Sequence, residues 1–290
     1  MTDQKRLLFV INPISGGKSK SHVPELIKQH LDLEAFSYDI FWWKVVDELP
    51  NALNRFVEES GYAVVAIGGD GTINAVASCL VNTPVRLALI PQGSGNGFAR
   101  EFKISRSIPK ALKQLNKATE QSVDVGKING KVFVNVAGWG FDAKVSYSFA
   151  TLSKRGLVSY VKAINKDFGG AINLQFTIYS EKETFTNDGF LLSIANGRQW
   201  GNNFYIAPKA SFTDGFLDVV FIRKPKIYQI PMLVFCLYFK LPDKLITTKK
   251  VQNVTIVSDK PCYTHVDGEP MEKVGEVKVE VLPGALQLLV

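Results

Sequence analysis

Cysteine is scarce in this chain: Cys79, Cys236 and Cys262 are odd in number and far apart. That pattern excludes a disulfide framework and a cysteine-based metal site, and it points to a reducing compartment. Histidine is equally scarce, and His22, His30 and His265 each stand alone. His265 reads as a solvated strand residue. Long apolar runs are missing too. The longest, Ile230–Phe239, falls short of the roughly 18 residues a spanning helix needs and is bracketed by Lys226 and Lys240. It reads either as a buried helix or as a peripheral membrane contact. The opening MTDQKRLLFVINP has too short an apolar run for a leader peptide and reads as a strand. Internal repeats and low-complexity tracts are absent.

What is present describes a globular protein. Hydrophobic residues make up 46% and charged residues 21% of the 290 positions, outside the disordered range. The length exceeds what one core usually fills, so two domains are expected. The net charge of +7 favours anionic partners: a nucleotide, an anionic lipid surface or nucleic acid.

One stretch, Tyr62 to Arg100, organises the rest. Its apolar runs Ala63–Ile67 and Leu87–Ile90 read as buried strands of a parallel sheet. The first ends in Gly68-Gly69-Asp70-Gly71-Thr72-Ile73-Asn74 and the second in Gly93-Ser94-Gly95-Asn96-Gly97, each leading into a helical pattern. Parallel strands place both turns at one sheet edge, where open α/β sheets bind ligands. Glycine lets backbone N–H groups reach a phosphate, and a helix start adds free donors and partial positive charge. Thr72 is the expected N-cap. Asp70 beside phosphates needs a metal ion or a proton to take up. The alternative is an ordinary capping acid in a βα turn.

Elsewhere in the first half, Leu7–Ile11 reads as a strand followed by Asn12-Pro13-Ile14-Ser15-Gly16-Gly17-Lys18-Ser19 and a helix from about Val23 to Leu31. The Gly-Lys-Ser ending suggests a P-loop, but the required first glycine falls on Asn12. Tyr38–Trp43 reads as a second strand, Leu49–Glu59 and Ile108–Leu115 as helices. From Val123 onward the chain becomes strand-rich: Lys131–Ala137, Asn173–Ser180, Phe190–Ala195, Leu217–Arg223, Gln252–Val257 and Val277–Val281. Polar turns such as Asn129-Gly130 and Asn187-Asp188-Gly189 separate them. This pattern predicts an antiparallel β domain with a helical insertion around Ser153–Phe168. The boundary is expected near residue 125, giving domains 1–125 and 126–290. Ala285–Val290 is a last strand that can return to the first domain; its sequence leaves this open.

GGDGTxN followed by P-x-G-[ST]-x-N resembles the diacylglycerol kinase catalytic domain superfamily, which includes the sphingosine kinases and the soluble bacterial lipid kinases. GGDGT also occurs in NAD kinases. The resemblance runs on through Asp124-Val-Gly, Phe133-Val-Asn135-Val-Ala-Gly138, Gly140-Phe141-Asp142-Ala143, Asn196, Ala207-Pro208, Asp214-Gly215-Phe216-Leu217-Asp218-Val219 and Asp267-Gly268-Glu269. It implies a Rossmann-like α/β domain, then a β-sandwich, with the active site in the cleft between them. Ala75 stands where a glutamate is common, Gly97 where many bacterial lipid kinases have Asp, and Ser94 where they have Thr. Trp43 takes the place of a nucleotide-touching threonine, free to stack on a base or to pack.

The implied activity is ATP-dependent transfer of the γ-phosphate to a lipid hydroxyl with Mg²⁺. Asn12, Ser15, Gly16, Gly68, Gly69, Asp70, Gly71, Thr72, Asn74, Gly93, Ser94, Gly95 and Asn96 would line the nucleotide. Glu269 ranks first as proton acceptor by likeness to the bacterial enzymes, and Asp70 by likeness to the sphingosine kinases. Asp70, backed by Asp124, would lie near the metal. Asp214 and the carbonyls of Ser211 and Phe216 would hold a structural Mg²⁺. Read without the resemblance, Asp267-Gly268 is an ordinary hairpin dipeptide and Asp214-Gly215 a β-turn. The expected setting is cytoplasmic and peripheral to a membrane, with a lipid substrate, no nucleic acid, and room for a homodimer. The competing readings are a NAD-kinase-like enzyme on a soluble acceptor and a nucleotide-binding module without turnover.

Overall fold

The computed structural model describes residues 4–17, 19–93, 95–150 and 167–290. The chain forms two compact units, 1–123 with 284–290, and 124–283. An α/β unit followed by an antiparallel β unit is the order expected from the sequence. The helical insertion expected around Ser153–Phe168 lies almost wholly outside the described residues.

In the first unit, β1 (Lys5–Ile11), β2 (Phe36–Trp42), β3 (Ala63–Gly68) and β4 (Arg86–Pro91) form a parallel sheet in the order β2-β1-β3-β4. β3 is buried along its whole length and β1 from Leu7 onward, which is why both read as continuous apolar runs rather than alternating ones. Helices cover the sheet. α1 (Val23–His30) buries Val23 and Ile27, and α2 (Glu48–Glu58) buries Leu49, Leu53 and Phe56. α3 (Asp70–Leu80) and the short α4 (Gly97–Glu101) follow the two glycine turns. α5 (Ile108–Leu115) buries Ile108, Ala111, Leu112 and Leu115, the i, i+3, i+4, i+7 stripe of an amphipathic helix.

Register matters more than composition for the site. Ile11 pairs with Ile67, and Ile67 with Ile90. The loops after β1, β3 and β4 therefore leave the sheet at one level and on one edge.

The second unit contains β5 (Glu120–Ile128, from Asp124), β6 (Lys131–Phe133), β7 (Val136–Gly140), α6 (Phe141–Ala150), β8 (Leu174–Ser180), β9 (Thr184–Gly189), β10 (Leu191–Ala195) and β11 (Leu217–Ile222). After a short 3₁₀ turn, Ile227–Gln229, come α7 (Ile230–Phe239), β12 (Ile246–Val251), β13 (Val254–Val266) and β14 (Glu269–Leu289). Pairing runs β12-β11-β10-β7-β13-β14, with β8 added on β13 and β9 on β8. On β10 and β11, Leu192, Ile194, Val219 and Phe221 point to a core built around Trp139 and Phe176. Leu191, Ala195, Val220 and Ile222 point to the opposite face, beside Phe141, Val145, Leu233 and Leu237. The strands are thus covered on both sides.

Several sequence expectations need correction. Asn187-Asp188-Gly189 is no turn but part of β9, paired residue for residue with β8. β9 and β12 escape a hydrophobicity reading because their polar residues face solvent. The expected strand Lys131–Ala137 is two strands, broken at Val134-Asn135. Asn129-Gly130 is a turn, with φ of 49° and 79°. The last seven residues belong to the first unit. There Leu288 pairs in parallel with Leu87 of β4, and Thr119 and Val290 exchange backbone hydrogen bonds of 2.8 and 3.0 Å.

Candidate active site

The first unit gathers most of the sequence-predicted nucleotide residues on its loop edge. The Asn12 backbone N–H donates to Ile67 O at 3.2 Å, extending the β1–β3 ladder past its end. Its side-chain Nδ2 donates to Thr72 Oγ1 at 3.0 Å, and its Oδ1 accepts from the Ile14 N–H at 3.2 Å. Asn12 thus ties the first loop to α3. Thr72 is consequently not the N-cap. Gly69 holds that position, and Thr72 lies in the first turn of the helix, its hydroxyl engaged by Asn12. Asp70 and Asn74, four apart, share a helix face. Ser15 and Gly16 lie in the 3₁₀ turn Ser15–Gly17, where Gly16 has a φ of 69°. A Cβ on Gly16 would sit 2.1 Å from Gln92 O, so glycine is required there on two counts.

The two glycine turns meet backbone to backbone. A Cβ on Gly93 would lie 2.7 Å from Gly69 Cα, and one on Gly95 would lie 3.0 Å from Asp70 Oδ2. Asn96, fully buried with a φ of 52°, locks the second turn. Its Oδ1 accepts from the Gly93 N–H at 2.9 Å and its Nδ2 donates to Gly93 O at 2.7 Å. Its backbone N–H donates to Asp70 Oδ2 at 2.8 Å, coupling the GSGN turn to the acid of GGDGT. Ser94 lies outside the described residues. The small-residue walls, the N-terminus of α3 and the half-buried Asp70 fit a polyphosphate.

The sequence reading missed basic groups at this edge. The Lys20 ammonium is buried against Ser15 O, and burial pushes its pKa down. Arg100 Nε donates to Gly95 O at 3.0 Å, and Arg106 Nη2 to Gly93 O at 3.2 Å. In the run Lys18-Ser19-Lys20 nothing marks Lys20 apart; only the fold buries it. Trp42, rather than Trp43, lines a cavity with Pro13, Lys20 and Lys44 beside this loop.

The second unit separates the roles within Asp267-Gly268-Glu269. Asp267 and Gly268, with φ of 46° and 87°, turn β13 into β14. The Asp267 carboxylate accepts three backbone N–H bonds of 2.9 Å, from Val134, Asn135 and Val136. It is committed to holding the break between β6 and β7. Glu269, two residues on, is exposed at the start of β14. His265 is not solvated, as the sequence suggested, but buried. Its Nε2 lies 3.2 Å from Asp142 Oδ2, and its Nδ1 accepts from the Gly268 N–H at 3.3 Å. The second contact requires the tautomer with the proton on Nε2, so Asp142 is the acceptor. Ser193 Oγ donates to the same carboxylate oxygen at 3.1 Å.

Asp124 is buried, and its Oδ2 accepts from the Gly215 N–H at 2.7 Å. It is thereby joined to the loop Ser211–Phe216. The structural-metal expectation for Asp214, Ser211 and Phe216 fails a chemical test. Asp214 Oδ2 is engaged by the Lys250 ammonium, and Asp214 Oδ1 accepts from the Phe216 N–H at 3.1 Å. Lys250 pairs in register with buried Asp218. A lysine thus stands where a divalent cation would neutralise this loop, and as folded the residues do not fit one. The Asp214 hydrogen bond holds the Lys250 pKa up, while burial raises that of Asp218.

Comparison with known proteins agrees with this two-part architecture. Residues 6–128 match the diacylglycerol kinase catalytic domain family, and residues 135–290 match the YegS C-terminal NAD kinase beta sandwich-like domain family. A "Probable lipid kinase YegS-like" from Pseudomonas aeruginosa is 31% identical over 242 residues, covering 81% of this chain and 80% of its own. Another of that name from Yersinia pestis is 27% identical, covering 80% and 81%. The crystal structure of a diacylglycerol kinase from Bacillus anthracis has a TM-score of 0.76 at 20% identity, covering 100% of this chain and 98% of that one. A second structure from the same organism reaches 0.83 at 21% identity, with the same coverage. The chain belongs to the YegS-like lipid kinase family.

Proposed function

We propose that the protein is an ATP-dependent lipid kinase, acting at a membrane surface in the cytoplasm and using Mg²⁺. Membership of the family and the names of its relatives support the class of reaction. The observation that carries the nucleotide part is the backbone-to-backbone packing of Gly93 on Gly69, tied by Asn96 to Asp70. Such a surface admits phosphate oxygens to N–H donors and gives Asp70 a fixed place beside them.

The lipid hydroxyl oxygen attacks the γ-phosphorus, the bond to the β–γ bridging oxygen breaks, and ADP leaves. The hydroxyl proton passes to a carboxylate. Glu269 is the better acceptor, because Asp267 beside it is already committed to three N–H groups while Glu269 is exposed. Asp70 would hold Mg²⁺, which when bound neutralises charge developing on the phosphates. Lys20 and the N-terminus of α3 add fixed positive charge at the same edge.

Transfer of radiolabelled phosphate from ATP to a panel of lipid hydroxyls, diacylglycerol- and sphingoid-like among them, tests the reading. Labelled lipid supports it. Label only in NAD or another soluble acceptor would transfer the assignment to the NAD-kinase-like reaction, and ATP binding without labelled product would reduce it to nucleotide binding.

A further inference from the structure

We infer that α7 and its flanks are a membrane-docking face that seats apolar side chains in an anionic bilayer. The helix carries no charged residue. A helix apolar all round is normally enclosed by protein or lipid, yet here only Leu233, Cys236 and Leu237 are buried. Those three form one i, i+3, i+4 stripe, enough to fix the helix on its unit. The remainder faces outward: Ile227 is 79% exposed, Tyr228 73%, Met232 60%, Phe235 48%, Phe239 56% and Leu241 47%. Half of the exposed large hydrophobic side chains among the described residues fall between 227 and 241. A patch of this kind marks an interaction surface.

Charge selects the partner. Arg223, Lys224 and Lys226 precede the apolar stretch, Lys240 and Lys244 follow it, and Asp243 is the one acid between 223 and 244. Lys226 lies 5.9 Å over the Tyr228 ring and Lys240 4.1 Å over that of Tyr205, so ammonium groups rim the aromatic side chains. Apolar side chains flanked at both ends by lysines match the two layers of an anionic leaflet, acyl chains beneath phosphates. A second copy on this face would bring like charges together. The aromatic side chains already pack on one another, with Phe235 and Phe239 tilted at 4.5 Å and Tyr238 edge-on to Phe239 at 5.1 Å, so less side-chain freedom is left to lose on insertion.

This surface rests on no step of phosphoryl transfer and is tested without ATP. The full chain is sedimented with phosphatidylcholine vesicles, with and without about 30 mol% phosphatidylserine, at low and high salt. Binding to the anionic vesicles that weakens at least tenfold as salt rises is expected. Phe235→Ser with Phe239→Ser should lose at least tenfold in binding while keeping the wild-type melting temperature, since both side chains are exposed. Lys226→Glu with Lys240→Glu should lose the preference for phosphatidylserine. In Phe239→Trp, vesicles should shift the new emission to the blue and brominated lipids should quench it. No shift, or unchanged binding in the Phe235/Phe239 variant, overturns the proposal. A wild-type dimer that the same double variant dissolves would assign the face to a second copy.

Discussion

At the scale of single residues, acids that look alike in the sequence do different work. Asp267 anchors three N–H groups, Asp142 holds a buried histidine, and Asp214 and Asp218 flank a lysine. Asp267→Ala leaves three donors without their acceptor. Hydrogen bonds to charged groups contribute about 1.5–3 kcal/mol each, so the variant should lose several kcal/mol in denaturant unfolding; a loss under about 1 kcal/mol would contradict the anchoring role. Asp218 gives a pH test with a definite sign. Burial raises its folded pKa above 3.8, so the folded chain binds the proton more tightly than the unfolded one. Its charged form therefore costs stability above that window, and the cost fades as pH falls through it. Asp218→Asn should melt higher than wild type near neutral pH, with the gain shrinking toward pH ~4. The Lys250 pairing adds a companion result: without nucleotide, Asp214→Ala should lower the melting temperature equally with and without Mg²⁺. A loss confined to Mg²⁺ would restore a metal to this loop.

At the scale of elements, the glycine turns show how far a sequence can be read. GGDGT and GSGN announce two strand–turn–helix units, and their adjacency follows from parallel pairing. The contact between Gly69 and Gly93 does not, because it depends on the register that aligns Ile67 with Ile90. The locking role of Asn96 and the part played by Lys20 were not legible either: Asn96 is buried and tied to Asp70, and Lys20 is set apart only by its burial against Ser15 O. In the β unit, turn dipeptides were legible where φ is positive, as at Asn129-Gly130, and misleading where the same residue types sit in a paired strand, as at Asn187–Gly189. Gly93→Ala tests the turn contact directly. Its Cβ would come within 2.7 Å of Gly69 Cα and 2.8 Å of Asn96 Oδ1, so the turns must separate. The Michaelis constant for ATP should rise at least tenfold, whereas Gly130→Ala, with open space around its Cβ, should leave it unchanged. Equal kinetics in both variants would contradict the cradle.

At the scale of the whole molecule, the chain runs from the first unit to the second at Val123–Asp124 and returns at Pro283–Gly284. The apolar periodicity of Ala285–Val290 marks a strand but names no neighbour, so the return was not legible. Leu286, Leu288 and Leu289 are buried in the first unit. Leu288→Ala should therefore cost about 2–5 kcal/mol, and its hydrogen-exchange signature should appear in β4, where Leu288 pairs with Leu87; protection lost only in the second unit would contradict the assignment. The central claim is that Asp70 and Glu269 each act in phosphoryl transfer rather than in ground-state nucleotide binding. The most direct measurement is steady-state transfer from radiolabelled ATP to lipid by wild type, Asp70→Asn and Glu269→Gln. A positioned base contributes about 10²–10⁴-fold, so Glu269→Gln should lose kcat on that order with its Michaelis constant for ATP nearly unchanged. Asp70→Asn should lose at least as much and need more Mg²⁺ to saturate. Wild-type kcat in Glu269→Gln would remove it as the base, and wild-type kcat in both variants would contradict the account.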